Sequence, residues 1–227
     1  MRVRRTFAFL DLSGFTALTE AEGDEQAVAV LGLFRGALRD VCSRRAVRIA
    51  KWLGDGAMLV GVDTKAVVAA ALETKAWVDV APEPVTIRCG VTTGAVILLE
   101  GDDYVGHAVN VAARLCDLAV GREVLALAAV VPDIPPWATV ERGEPIAVRG
   151  LEHPVEVVRL GLPAADHDTH PDPVCGIPLQ PDTAVAHRRD VDGTEMFFCA
   201  DSCAETWDQR RVPGGIEAGS VREGWMR

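Results

Sequence analysis

Two strand-forming runs, residues 47–52 and 57–62, flank Leu53-Gly54-Asp55-Gly56. So short a connection, with a glycine on each side of one Asp, allows only an antiparallel hairpin between them. Parallel neighbours would need a crossover of a dozen residues or more. The hairpin therefore points away from a doubly wound sheet.

The surrounding pattern alternates strands with helices. Residues 3–10 read as a buried strand rich in Val, Phe and Leu. A helix is expected over 24–45, with Val28, Leu31, Phe34, Leu38 and Val41 at three- and four-residue steps. An Ala-rich helix spans 64–80 and ends before Pro82. Strands follow at 85–91 and 95–99, then a helix at 105–120, a strand at 124–127 and a strand pair within 145–160. Helices and hairpins together predict an α+β sandwich.

The chain has 227 residues, enough for one full core plus a small module. Its net charge of −10 argues against a broad nucleic-acid or membrane-surface role. The apolar stretch after Arg2, Arg4 and Arg5 is broken by Asp11, too early for a signal-peptide core. The most apolar region, 57–71, contains Asp63 and Lys65 and suits no bilayer span. A soluble, cytoplasmic protein is expected.

Six polar residues have the chemistry for a nucleotide site: Asp11, Lys51, Asp55, Asp103, Asn110 and Arg114. A lone Asp11 would be a cap or turn residue, and a lone Asp55 a hairpin-turn residue. As a pair at neighbouring strand ends, they offer hard oxygen ligands to two divalent cations. Asn110 and Arg114 lie four apart and share a helix face, with Val109, Ala112, Ala113 and Cys116 as the opposing apolar stripe. That face is either solvated or directed at a phosphate, which an Arg fork meets bidentately. Lys51 can donate to N1 of adenine and Asp103 can accept from its 6-amino group; guanine presents the reverse pattern. Otherwise Lys51 is a strand-edge charge and Asp103 a turn residue.

In order along the chain, these residues sit in Phe9-Leu10-Asp11-Leu12-Ser13-Gly14-Phe15-Thr16, Lys51-Trp52-Leu53-Gly54-Asp55-Gly56, Arg88-Cys89-Gly90-Val91-Thr92-Thr93-Gly94 and the block 103–114. The ordered set resembles the catalytic domain of the class III adenylate and guanylate cyclases, over residues 1–160. The resemblance implies a ferredoxin-like core, an antiparallel sheet with helices, closed by strands near 147–160. It implies ATP conversion to cyclic AMP and pyrophosphate with two Mg²⁺ or Mn²⁺ per site. Asp11 and Asp55 would hold the metals, Lys51 and Asp103 the base. Asn110 would orient the ribose, and Arg114 would stabilise charge on the α-phosphate. Asp103 stands at the family's distance before Asn110. Guanylate cyclases of the family typically carry Glu in place of this Lys and a small residue in place of this Asp. The family works as head-to-tail pairs, so a homodimer with two equivalent sites is implied. Cys89 and Val91 replace the larger aliphatics common there, a matter of packing.

Residues 161–171 form a linker rich in Pro, Asp and His. Beyond it, Asp172-Pro173-Val174-Cys175-Gly176 and Phe197-Phe198-Cys199-Ala200-Asp201-Ser202-Cys203 resemble the YHS and TRASH-like cysteine modules, over 172–211. So small a segment builds little core, and a metal staple would serve it. Cys199 and Cys203 share a helical face, with Cys175 arriving from an upstream knuckle. Zinc is the plain thiolate choice and another soft metal the sensing one; a metal-free knuckle or redox-labile thiol set also fits. His187 is the nearest candidate for a fourth ligand. Cys42, Cys89 and Cys116 read as core residues. Residues 212–227 read as a flexible tail.

Two functions follow from the sequence. One is an adenylate cyclase, possessing the full six-residue set and tuned by the module. The other is a catalytically silent cyclase-like protein that binds nucleotide as a regulator or senses metal.

Overall fold

The computed structural model describes residues 1–100 and 103–211. The tail expected at 212–227 lies outside them. The chain divides into two compact units. The first comprises Met1–Ile134 and Val140–Gly161; the second comprises Pro135–Thr139 and the described residues from Leu162 onward.

The first unit is built on β1 (Arg2–Ser13), followed by α1 (Phe15–Glu22) and α2 (Asp24–Arg44). The hairpin is β2 (Arg48–Leu53) and β3 (Gly56–Gly61), and α3 spans Thr64–Asp79. Then come β4 (Thr86–Leu98), β5 (Tyr104–Val105), α4 (His107–Leu118), β6 (Val124–Leu127), β7 (Thr139–Arg142) and β8 (Val157–Gly161). The sheet order is β2-β3-β1-β4-β6-β8-β7, with β5 on β4. β1 runs antiparallel to β3 and β4, as do β2 to β3, β5 to β4 and β8 to β6, whereas β4 and β6 run parallel, so the sheet is mixed.

Strand alternation places helices on both faces of β1. The Thr6 hydroxyl meets that of Thr64, at the start of α3, at 2.8 Å. Phe7, one residue on, packs with Ala108 and Ala112 of α4. Phe7, Ala8 and Leu10 are accordingly buried in succession. On the α4 side, the Thr92 hydroxyl donates to the Ala108 carbonyl at 2.7 Å. Gly90 is required there. A Cβ at that position would stand 2.2 Å from the Ala112 carbonyl oxygen and 2.3 Å from the Cys116 amide nitrogen.

Several expectations need correction. The strands expected at 85–91 and 95–99 are one strand, because β1 pairs with β4 without a break from Arg2↔Ile97 to Ser13↔Thr86. In α2, Val28 is 69 % exposed; the buried face runs through Ala27, Val30, Phe34, Ala37, Leu38 and Val41. The buried stripe of α4 is Ala108, Val111, Ala112, Leu115 and Cys116; Val109 and Ala113 stand at its half-buried margins. Within 145–160 only β8 is a full strand, joined by an isolated Ile146↔Val155 bridge. The thiols behave as core residues. Burial pushes Cys42 and Cys116 up to about 12, and Cys89 well above its ordinary value.

The second unit is small. It has two short hairpins, β9 (His170–Pro171) with β10 (Pro178–Leu179) and β11 (Ala186–Arg189) with β12 (Glu195–Phe198), followed by α5 (Asp201–Arg210). Ile177, Leu179, Phe198, Cys203 and Ala204 form its core together with Trp137.

Candidate active site

The sheet brings Asp11 and Asp55 together. Asp11 is paired in register with Gly56 on one side and with Arg88 on the other, so Asp55 stands one residue beyond Asp11's partner. Both carboxylates line a cavity of about 530 Å³ with Ser13, Gly14, Thr16 and Arg88. Arg88 grips Asp11: its Nε donates to Asp11 Oδ2 at 2.7 Å, and Nη2 lies 2.6 Å from the same oxygen. Partial burial pushes the Asp55 carboxyl above its usual range. A bond from its own backbone opposes this, Asp11's charge reinforces it, and Arg88 opposes it again. Two carboxylates facing one cavity form an oxygen-only donor set of the kind that divalent cations take.

Arg88 had no assigned role in the sequence. A signal was present, since it is the only charged residue in an otherwise apolar or small-residue stretch from Val85 to Gly94.

Lys51 and Asp103, distant in sequence, meet: Lys51 Nζ lies 2.8 Å from Asp103 Oδ1, with both side chains nearly half exposed. The Tyr104 amide donates to that same oxygen at 2.8 Å. The Lys51 ammonium, then this amide, hold the Asp103 carboxyl below its usual range. A donor and an acceptor thus stand side by side.

Asn110 is exposed and Arg114 half-buried, on one face of α4. The Arg114 guanidinium packs against Gly150, where a Cβ would meet Arg114 Nη1 at 2.7 Å. Neither Asn110 nor Arg114 lines the cavity that holds Asp11 and Asp55.

In the second unit, Cys175, Cys199 and Cys203 converge with Asp172; one ligand atom from each lies within 4.8 Å of the others. The Sγ separations are 3.5 Å for Cys175–Cys199 and 3.7 Å for Cys199–Cys203. A tetrahedral ion with metal–sulfur bonds near 2.3 Å needs sulfur–sulfur edges of about 3.8 Å. Asp172, 1 % exposed, organises the knuckle. Its Oδ1 accepts from the Val174 and Cys175 amides and its Oδ2 from the Cys199 amide, at 2.8, 3.2 and 2.8 Å. Burial, with Cys199 beside it, pushes its carboxyl up to about 6. His187 instead sets its ring edge-on to Phe197 at 5.0 Å. An Asp opening an Asp-Pro-Val-Cys turn was the available sign for Asp172.

Among solved structures, the chain is similar to the adenylyl cyclase CyaB of P. aeruginosa, at 24 % identity and TM-score 0.60, covering 74 % of this chain and 97 % of that one. It is equally similar to the guanylyl cyclase Cya2, at 23 % identity and TM-score 0.64, covering 74 % and 96 %. The fold is that of a nucleotide cyclase catalytic domain. Both base specificities occur on this fold, so it does not select between them. Among curated proteins, an uncharacterized protein of Mycobacterium tuberculosis is 35 % identical over 152 residues, 67 % of this chain and 40 % of its own length. An adenylate cyclase of Streptomyces coelicolor is 34 % identical over 125 residues, 54 % of this chain and 32 % of that protein. The chain thus spans well under half the length of these relatives. No protein-family model matches it. Among the described residues, no helix is long and apolar enough to cross a membrane.

Proposed function

We propose that the protein is an adenylate cyclase that converts ATP to 3′,5′-cyclic AMP and pyrophosphate at the interface of a homodimer. The observation that carries this reading is the shared cavity of Asp11 and Asp55, closed on one side by Arg88. Asp11 and Asp55 would hold two Mg²⁺ or Mn²⁺ ions. When bound, these ions neutralise the triphosphate and acidify the ribose 3′-hydroxyl. Arg88, released from Asp11, would donate its fork to phosphate oxygens. The 3′-hydroxyl would lose its proton to solvent, its oxygen would bond to the α-phosphorus, and the bond to the bridging oxygen of the leaving pyrophosphate would break. Arg114 stabilises the charge gathered on the α-phosphate in that passage, and Asn110 holds the ribose. Because Asn110 and Arg114 do not line the metal cavity, they would serve the cavity of a second copy. Lys51 and Asp103 would exchange their mutual bond for the N1 and 6-amino edge of adenine. The adenylate cyclase name of the Streptomyces relative supports the same base choice.

The test is cyclic nucleotide production from ATP and Mn²⁺, followed by complementation. Asp55→Ala and Arg114→Ala should each be nearly inactive. Mixed, they form a heterodimer with one intact site, and partial activity returns. A mixture that exchanges subunits yet stays dead would refute the interfacial site. A wild-type chain that binds ATP without turnover would leave the silent regulatory reading.

We propose further that Cys175, Cys199 and Cys203, with Asp172 as fourth ligand, hold one zinc or other soft ion. The near-tetrahedral sulfur spacings support it. Native mass spectrometry after growth with zinc and copper should find up to one metal per chain, lost in Cys199→Ser with Cys203→Ser.

A further inference from the structure

Asp55 is held in a turn with little intrinsic stiffness. Gly54 before it has φ +65° and Gly56 follows it. Yet a metal-holding carboxylate must stay within a fraction of an ångström of its working position. What fixes it comes from α2. Arg35 Nη2 donates to the Gly54 carbonyl at 2.8 Å. The same guanidinium stacks over Trp52, 5.0 Å from the ring centre, and Arg39, one helical turn on, covers Trp52 at 5.2 Å. Phe34 and Leu38, 1 % and 0 % exposed, root this stretch of helix in the core. The hairpin is thus gripped at its last β2 residues and at its turn.

The Gly54 carbonyl and the Asp55 amide belong to one planar peptide unit. Pinning the oxygen therefore fixes the direction from which the Asp55 Cα emerges. Arg35 meets the turn through a backbone carbonyl and not through the Asp55 carboxylate. Its influence would be geometric.

We infer that Arg35 is a positioning residue for the Asp55 metal ligand, acting through the Gly54–Asp55 peptide with Trp52 as its stacking platform. The inference rests on the reading of Asp55 as a metal carboxylate. Arg39 shares the platform but does not bond the turn, so it serves as the internal control.

The experiment compares wild type with Arg35→Ala, Arg35→Lys and Arg39→Ala in the full chain, each checked for an unchanged melting temperature. The first readout, independent of activity, is amide NMR of Gly54, Asp55 and Gly56. Arg35→Ala should shift and broaden these signals and Arg39→Ala should not. The second is the Mn²⁺ concentration for half-maximal cyclic nucleotide formation at fixed ATP, alongside Mn²⁺ binding by electron paramagnetic resonance with 3′-deoxy-ATP. Removing an outer partner of a metal ligand costs ~10–100-fold in affinity. Arg35→Ala should raise the half-maximal Mn²⁺ by that order, with a smaller change in the rate at saturating metal and no shift in the pH profile. Arg35→Lys, which restores a donor without the fork, should recover part of the loss. Turn signals unchanged in Arg35→Ala overturn the inference and leave the cyclase reading intact. So does a changed turn with unchanged Mn²⁺ dependence. If Arg35→Ala melts lower, Arg35→Lys at wild-type stability decides by the same two readouts. A wild-type chain that binds no Mn²⁺ with 3′-deoxy-ATP removes the metal reading of Asp55, and the inference with it.

Discussion

Lys51 and Asp103 satisfy each other, and under the proposed function the same donor and acceptor would select the base. Their side chains are 47 % and 43 % exposed, so the pair itself contributes little to stability. Its weight would come when a purine edge covers it and any unmatched donor or acceptor is shut away from water. Lys51→Glu combined with Asp103→Ala replaces the donor by an acceptor and deletes the acceptor. Each reversed bond costs about 1–3 kcal/mol once buried. Relative use of GTP over ATP should rise by roughly tenfold or more, since about 1.4 kcal/mol is a factor of ten. Competition between the two nucleotides, with cyclic products separated by chromatography, reads this directly. An unchanged ratio would show that these residues do not touch the base.

At the scale of elements, the approach of α4 to β4 carries the most consequence. Gly90 lets the helix backbone come within contact of the strand, and the same helix carries Asn110 and Arg114 on its outer face. Gly90→Ala must push the helix out, because the obstructing atoms are backbone. The overpacking should cost about 1–3 kcal/mol. A lower urea midpoint at unchanged slope, with activity falling further than stability, is the expected outcome. An unaltered midpoint would mean that the close approach is not needed. Local patterning made much of this legible. Helical spacing gave α2 and α4 within a few residues, Ala-rich composition and the stop before Pro82 gave α3, and the Gly-Asp-Gly turn gave the β2–β3 hairpin. The apparent break at Thr92-Thr93-Gly94 was misleading, because a twelve-residue β1 templates β4 across it and Gly94 simply pairs with Arg5. The short α1, with one buried residue, left no periodic trace. The six candidate residues were visible as types in order. The clamp of Arg88 on Asp11 and the entry of Asp172 into the thiol cluster were not, since no local period encodes contacts between residues so far apart.

At the scale of the whole chain, the second unit is made from two separate stretches, and the shorter one lies inside the sequence of the first. Pro135–Thr139 belongs with the cysteine cluster. Trp137 is 1 % exposed there, and its indole N–H donates to the Cys199 carbonyl at 2.8 Å. Cys199 lies just before α5 and Cys203 inside it, so the two do not share a helical face as expected; the bond holds the backbone that joins them, and Trp137 should matter to both the fold of the unit and its hold on metal. Trp137→Phe keeps most of the ring and removes the donor, for about 1–3 kcal/mol. Trp137→Ala adds a cavity, for about 3–5 kcal/mol. Both should speed amide exchange over 196–204 and weaken metal retention, in that order of severity, while the β1–β3–β4 ladder keeps its protection. A chain cut after Gly161 leaves Trp137 behind without the residues that bury it. Its fluorescence should shift to the red and its solubility should fall, and Trp137→Gln in the truncated chain should restore solubility. Exchange over 196–204 that ignores Trp137, or a truncated chain as soluble as the full one, would show that the cysteine unit stands without its strap.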